Sequence, residues 1–588
     1  MTKTHAERSS PASASTPRRR PFFALLLVAG VLAVLTFRVA RWRPLAVEGA
    51  APADGYTRVS GIVHVHTTLS DGGGTPEAVA AAARRAGLRF VFITDHNNLD
   101  AKPFEGEHDG VLVLVGTEIS TTAGHVVGLG IPDPVFRFSG DARDALDDVR
   151  DLGGVAFAAH PLSPREDFRW TGWDLPGPWG IEVMNGDSQW RSAGWPRLMR
   201  TAALYPLSAR YALLGSLTPP DETLARWDAL LVRRDVSAVA GADAHARLVM
   251  WKDRAVSFPS YESLFALVQD HVVLDQPLTG QAETDGRTIV DALARGRSYV
   301  GLDALAPAGD FSFVAETAGR RFTMGDTVAP DADLQLRAQG RMPAGARVRI
   351  LRNGGEAVEG EGSVARTAPE PGVYRAEVRI PGWATPWIVS NPIYVFGPVA
   401  AAGRARQAAW PEPPPAPQAA ERIDGFEGAS SFAAEFDPSS AMERDVVAPG
   451  AGPDGSAAAR LSFRLGRPGP GRPFVWCALV NRQPRNLAGR QGLVFSIRAD
   501  REYRIWVQVR DANPASADEG IESWFASVRT SKRWQRLAVP FARLRSINRR
   551  SDGRLDLDQV RQLVFVLDQG AVKPGTQGTI WIDDVGAY

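Results

Sequence analysis

Apolar residues follow different rhythms along this chain of 588 residues. Through the first half, short apolar runs alternate with amphipathic stretches. Leu88 to Ile93, Val111 to Val115, Val155 to Ala159 and Ile181 to Asn185 are too short for helices and predict buried strands. Thr75-Pro76-Glu77 predicts a helix start, with a capping residue ahead of a proline at the first helical position. The alanine-rich run Ala78 to Ala86 continues that helix and Gly87 ends it. Asp144 to Leu152 predicts another helix, stopped by Gly153-Gly154. Strands that alternate with helices in this way argue for a parallel α/β sheet or barrel.

Beyond residue 305 the period shortens to two. Leu334 to Leu336, Arg347 to Leu351, Tyr374 to Ile380 and Ile393 to Val395 are separated by turn signals such as Asn353-Gly354-Gly355 and Pro371-Gly372. Residues 306–398 therefore predict a small antiparallel β-sandwich. Residues 399–420 contain Pro411-Glu-Pro-Pro-Pro-Ala-Pro417 and predict a semi-rigid linker. Tyr503 to Val509 alternates strictly, and Trp534 to Phe541, Leu563 to Leu567 and Gly578 to Val585 are further strands, so residues 421–588 predict a second all-β unit.

The N-terminus has its own pattern. Residues 1–20 are polar, end in three arginines and predict a disordered tail. Pro21 to Phe37 carries no charge and is about long enough, at 1.5 Å per residue, to cross a hydrocarbon core. It predicts a transmembrane anchor, with a cleaved signal segment as the rival. Arg38, Arg41 and Arg43 stand where a small-residue cleavage site would be expected and open a linker over 38–58. Either way the rest of the chain is expected outside the cytoplasm, membrane-anchored at the periplasm or cell surface, or secreted.

Length alone implies three or four modules. A formal net charge of +1 provides no global field for nucleic acid, and no nucleic-acid partner is expected. The single cysteine, Cys477, excludes an internal disulfide and leaves no cysteine cluster to compete as a metal site. No P-loop, nucleophile elbow or dinucleotide glycine fingerprint is present. Residues 168–195 hold Trp170, Trp173, Trp179, Trp190 and Trp195, which predict either a packed loop or an aromatic wall over a site.

The chemistry lies in the histidines. Of nine, six fall in short motifs that follow or end apolar runs: His64-Val-His66 with Asp71-Gly72, Thr94-Asp95-His96-Asn97, Glu118 with Gly124-His125 and then Ala159-His160-Pro161, and Asp243-Ala-His245. Side chains at successive strand ends converge on one point in a barrel. Residues two apart in a strand share a face, so His64 and His66 point together. Neutral imidazole and carboxylate together suit Zn, Mn or Fe, and carboxylates can bridge two such ions.

This order of motifs resembles the PHP (polymerase and histidinol phosphatase) superfamily of metal-dependent hydrolases. With the segment Ile289 to Gly301 it is most similar to the CehA/McbA branch, and the resemblance covers residues 59–305. It implies an irregular (β/α)7 barrel binding two or three divalent transition metals. By that resemblance His64, His66, Glu118 and Asp243 would hold one metal, Glu118, His125 and His160 a second, and Asp71, His96 and His245 a third. Residues 421–588, opening with Asp424-Gly-Phe-Glu427, resemble the galactose-binding-like jelly rolls, closest to the CBM11-like and CIA30-type modules. That implies a polysaccharide partner, with Trp506, Trp524 and Trp534 either stacking on sugars or packing the sandwich.

The expected whole is therefore multidomain: an irregular (β/α)7 barrel, a small β-sandwich and a C-terminal β jelly roll. The expected activity is hydrolysis of a phosphoester, ester or carbamate bond in a small-molecule or glycan-linked substrate by a metal-bridging hydroxide. Asp95 and Asn97 are expected beside the metals or facing substrate, and Arg165 and Arg247 to meet an anionic group. The competing expectation is a non-catalytic metal-binding scaffold with a glycan-binding C-terminal module.

Overall fold

The computed structural model describes residues 20–251, 254–412, 414–447, 451–516, 520–546, 548 and 550–588. The expected tail, save Arg20, lies outside the described residues. The strand Thr57–Val65 is the hub of the first half. Its start pairs antiparallel with Gln269–Leu274, and its end runs parallel to Phe90–Ile93 and to Ala238–Ala244. Phe90–Ile93 continues in parallel to Val111–Val115, and Ala238–Ala244 to Gly180–Asn185 and then Val155–Ala158. The antiparallel pair Thr117–Thr121 and Gly124–Leu129 joins Val155–Ala158, and a bridge between His96 and Glu118 helps close the barrel.

The barrel departs from uniform strand–helix alternation at that pair. Only Thr122 and Ala123 separate its two strands. A link so short makes a hairpin, whereas a parallel crossover needs a dozen residues or more. Elsewhere the helices form as their ends dictate. Thr75 accepts from the Ala78 N–H ahead of Pro76–Ala86, and Gly87 closes that helix at φ 79°. Asp141 accepts the N–H groups of Arg143 and Asp144 ahead of Ala142–Asp151.

The strands after residue 305 do not form a self-contained sandwich. Ser298–Gly301 pairs with Ile388–Ser390, and a continuous apolar core runs from Ile62 to Val395. Part of the expected linker is the helix Pro398–Ala408. Its Arg404 donates to the carbonyls of Leu231 and Val232 and pairs with Asp235.

The expected transmembrane anchor is corrected. The helix Arg20–Ala40 contains the apolar run, but among the described residues no helix is long and apolar enough to cross a membrane. The uncharged stretch ends at Arg38, and its rise of roughly 25 Å falls short of a hydrocarbon core of about 30 Å.

Residues 421–588 fold as two six-stranded antiparallel sheets around their own core. This unit docks on the barrel segment between Leu129 and Val155. Arg504, buried, pairs with buried Asp148, to which Arg529 also donates at 3.1 Å. Backbone bonds join Arg137 to Ala571 and Lys573 to Val135.

Candidate metal centre

Every motif histidine lies at or just beyond the C-terminal end of a barrel strand or in the hairpin beside it. Glu118 is the hub. Its Oε2 lies 3.1 Å from His64 Nε2, 3.1 Å from His66 Nε2 and 3.2 Å from His96 Nδ1. Its Oε1 lies 2.7 Å from His125 Nδ1 and 2.9 Å from His160 Nε2. Asp243 Oδ1 stands 3.4 Å from His66 Nε2 and 3.5 Å from both His64 Nε2 and His245 Nδ1. Asp71, half-exposed, lies 3.3 Å from His245 Nε2 and 3.7 Å from His66 Nδ1.

Four groups have ligand atoms within 4.8 Å of one another: His66, Asp71, His96 and His245; His64, His66 and Glu118; His64, His160 and Asp243; and His96, Glu118 and His125. All nine residues singled out as ligands are thus brought together. The grouping differs in detail from the one the resemblance implies, because His66 joins the outer set and His160 also faces Asp243.

The backbone is strained where these side chains turn inward. His64, Asn97, His160, Asp243 and Ala246 all have positive φ, and the register of the His64 strand shifts between Ile62 and Val65. Such conformations cost of order 1–3 kcal/mol each and persist only when the surroundings impose them.

The donor set fits divalent metal. His64 Nε2, both nitrogens of His66, His96 Nδ1 and His160 Nδ1 are buried without a hydrogen-bond partner. Buried polar atoms are almost always paired, so a cluster of orphans facing carboxylates marks room for a cation. The electrostatics agree. Burial opposes a charged ring at His64, but Glu182, Glu118 and Asp243 outweigh it and hold its pKa well above the usual histidine value. Burial works against the Glu118 carboxylate, yet His64 and the other imidazoles keep it well below its usual range. At His245 burial is overcome by Asp71 and Asp243, which raise the ring to about 9.

A cavity of about 310 Å³ opens over the cluster, lined also by Ser163, Arg165, Phe168, Arg191, Arg247 and Val249. Arg165 and Arg247 therefore face it, and Arg165 covers the ring of Phe168 at 5.2 Å. Asp95 and Asn97 do not line it. Asp95 is buried and accepts the backbone N–H and hydroxyl of Thr67, both at 2.7 Å, bracing the loop after His66. Asn97 bonds Ser120, accepting its N–H at 2.9 Å, and fastens the Glu118 hairpin. Trp170 and Trp179 are buried against each other, and Trp173 lies under Arg226. Trp195 is exposed, and the Trp190 side chain lies outside the described residues. Among the described residues the aromatic beside the histidines is Phe168, 4.8 Å from His125.

Sequence reasoning missed Arg191, Phe168 and Glu182. The signal for Glu182 was present: a lone carboxylate inside the buried strand Gly180–Asn185.

No protein-family model matches the chain. An uncharacterized protein of Methanocaldococcus jannaschii is 31% identical over 117 residues, a match that takes in 17% of this chain and 67% of that protein. The chain belongs to the family of that archaeal protein. Among solved structures, the chain is similar to a two-domain protein from Bacteroides vulgatus that contains a predicted PHP-like metal-dependent phosphoesterase. That likeness has 16% identity, covers 60% of this chain and 99% of the other, and has a TM-score of 0.29. A family 11 carbohydrate-binding module from Clostridium thermocellum, in complex with a β-1,3-1,4-mixed-linked tetrasaccharide, matches at 15% identity over 29% of this chain and 96% of that one, with a TM-score of 0.24. At TM-scores this low neither likeness bears on the chemistry of the site.

Proposed function

We propose that this chain is a metal-dependent hydrolase of the PHP type, CehA/McbA-like, that cleaves a phosphoester, ester or carbamate bond in a small anionic substrate. The observation that carries the reading is the convergence of nine ligand-capable side chains, five of their nitrogens buried and orphaned, beneath a cavity rimmed by arginine. Divalent metals bound there would supply a nucleophile from water at neutral pH and polarise the bond under attack. His64, His66, Glu118, Asp243, His125 and His160 would hold the inner metals, and Asp71, His96 and His245 the outer one. The protein's part is positioning. Arg165 and Arg247 hold the anionic group of the substrate. Phe168 shields the His125 side from water. Asp95 fixes the loop that carries Asp71.

For the jelly roll we propose glycan binding on the outer face of one sheet, supported by Trp476 and Trp506, which both pack there on Ala478, Val480, Val564 and Val566. Trp524 belongs to the core instead. Affinity electrophoresis against β-glucans and cell-wall glycans tests this part, and absence of retardation with all of them would refute it.

Elemental analysis of the purified protein, paired with a panel of phosphomonoester, phosphodiester, ester and carbamate substrates, tests the enzyme. Two or three first-row metals per chain and turnover of one class are expected. Fewer than one metal per chain after metal-supplemented expression would overturn the reading.

A further inference from the structure

We infer that Glu182 is a positioning residue that sets the imidazole of His64 for the metals; this rests on the metal reading above. Glu182 is buried on the strand Gly180–Asn185, behind the cluster. Its Oε1 lies 2.6 Å from His64 Nδ1. Its Oε2 accepts the backbone N–H of His160 at 2.7 Å and the side-chain amide of Asn185 at 2.9 Å. A carboxylate whose other oxygen already accepts two N–H groups is fixed as an acceptor toward His64. Nδ1 therefore keeps its hydrogen, and Nε2, which faces Glu118 and Asp243 without a hydrogen-bond partner, is the nitrogen left to offer its lone pair to a metal.

The fold makes room for this carboxylate. Asn185 pairs with Gly241 in the neighbouring parallel strand, and a Cβ at Gly241 would collide with Glu182 Oε1. One side chain thus orients two ligands, His64 through its ring and His160 through its backbone. A merely space-filling acid would need neither contact.

The test is cobalt(II) titration of the full-length chain against a competing chelator, at one pH. Glu182→Gln keeps the volume but puts an amide NH₂ either on His64 or against two N–H donors. Cobalt affinity is expected to fall about 10–100-fold, the usual range for such partners. The melting temperature of the metal-free protein should stay within a few degrees of the parent. In a His64→Ala background the same change should cost much less, because only the contact with the His160 backbone then links it to the metals. Gly241→Ala, which displaces the carboxylate without removing its charge, should weaken cobalt binding in the same direction and covers the case in which Glu182→Gln fails to fold. Parent-like affinity in the folded variants, or an undiminished loss in the His64→Ala background, overturns the inference alone. A parent chain that takes up no cobalt overturns the metal reading and this inference with it.

Discussion

At the residue scale, Glu118 touches five imidazoles through two oxygens, whereas Asp71 sits half-exposed at the rim. Their removal should therefore differ in kind. Glu118→Gln is expected to lower the metal content by at least one ion per chain and turnover at least 100-fold, while Asp71→Asn loses at most the outer ion. Elemental analysis beside turnover checks both, and equal losses would contradict the assignment. A second residue acts far from the histidine cluster. Burial raises Asp511 to about 6, with its Oδ1 held by Trp524 and its Oδ2 by the Asp556 N–H. An acid raised in the fold binds its proton more tightly there than in the unfolded chain, near 3.9. Its stabilisation is full below about pH 4 and is lost as pH rises through 6. Residues 421–588 contain no histidine to titrate in that window. The urea midpoint of this unit should therefore rise between pH 7 and pH 5; a fall would count against the burial of Asp511.

At the scale of elements, the site depends on how closely the strands approach. Gly61 lies opposite Phe90 in the parallel pair, and a Cβ there would strike the Phe90 ring. Gly61→Ala should destabilise the barrel by about 1–3 kcal/mol through overpacking, read as a lower urea midpoint. The candidate metal ligands were legible in the sequence because each sits in a local motif at or near an apolar run. Glu182 stood out as a lone carboxylate in an apolar strand, but its role did not, because its partner His64 is 118 positions away and no local pattern pairs them. The merging of Ile388–Ser390 with Ser298–Gly301 escaped for the same reason. Alternation showed that strands exist after residue 305, but not that the barrel supplies their neighbours. The tryptophans of 168–195 carried no directional signal: the same composition fits a wall or a core, and burial places Trp170 and Trp179 in the core while Trp195 is exposed.

At the scale of the molecule, the jelly roll has a core of its own yet is seated on the barrel by buried charge. Arg504→Met would leave Asp148 with the Arg529 guanidinium and the Ser139 N–H and should cost about 3 kcal/mol of docking. Faster proteolysis within 409–420 would report it. Adding Asp148→Asn should cost less than the sum of the two single changes, since no charge is then left stranded. Additive losses would mean that the pair does not seat the unit. The seat itself has a mechanical meaning. It lies on the stretch between Gly124–Leu129, whose strand carries His125, and Val155–Ala158, which delivers His160. If the jelly roll binds a polymer as proposed, a pull on it would bear on the barrel along the span that links those two histidines. Tension on the outer module would thereby reach the His125 and His160 side of the candidate metal cluster.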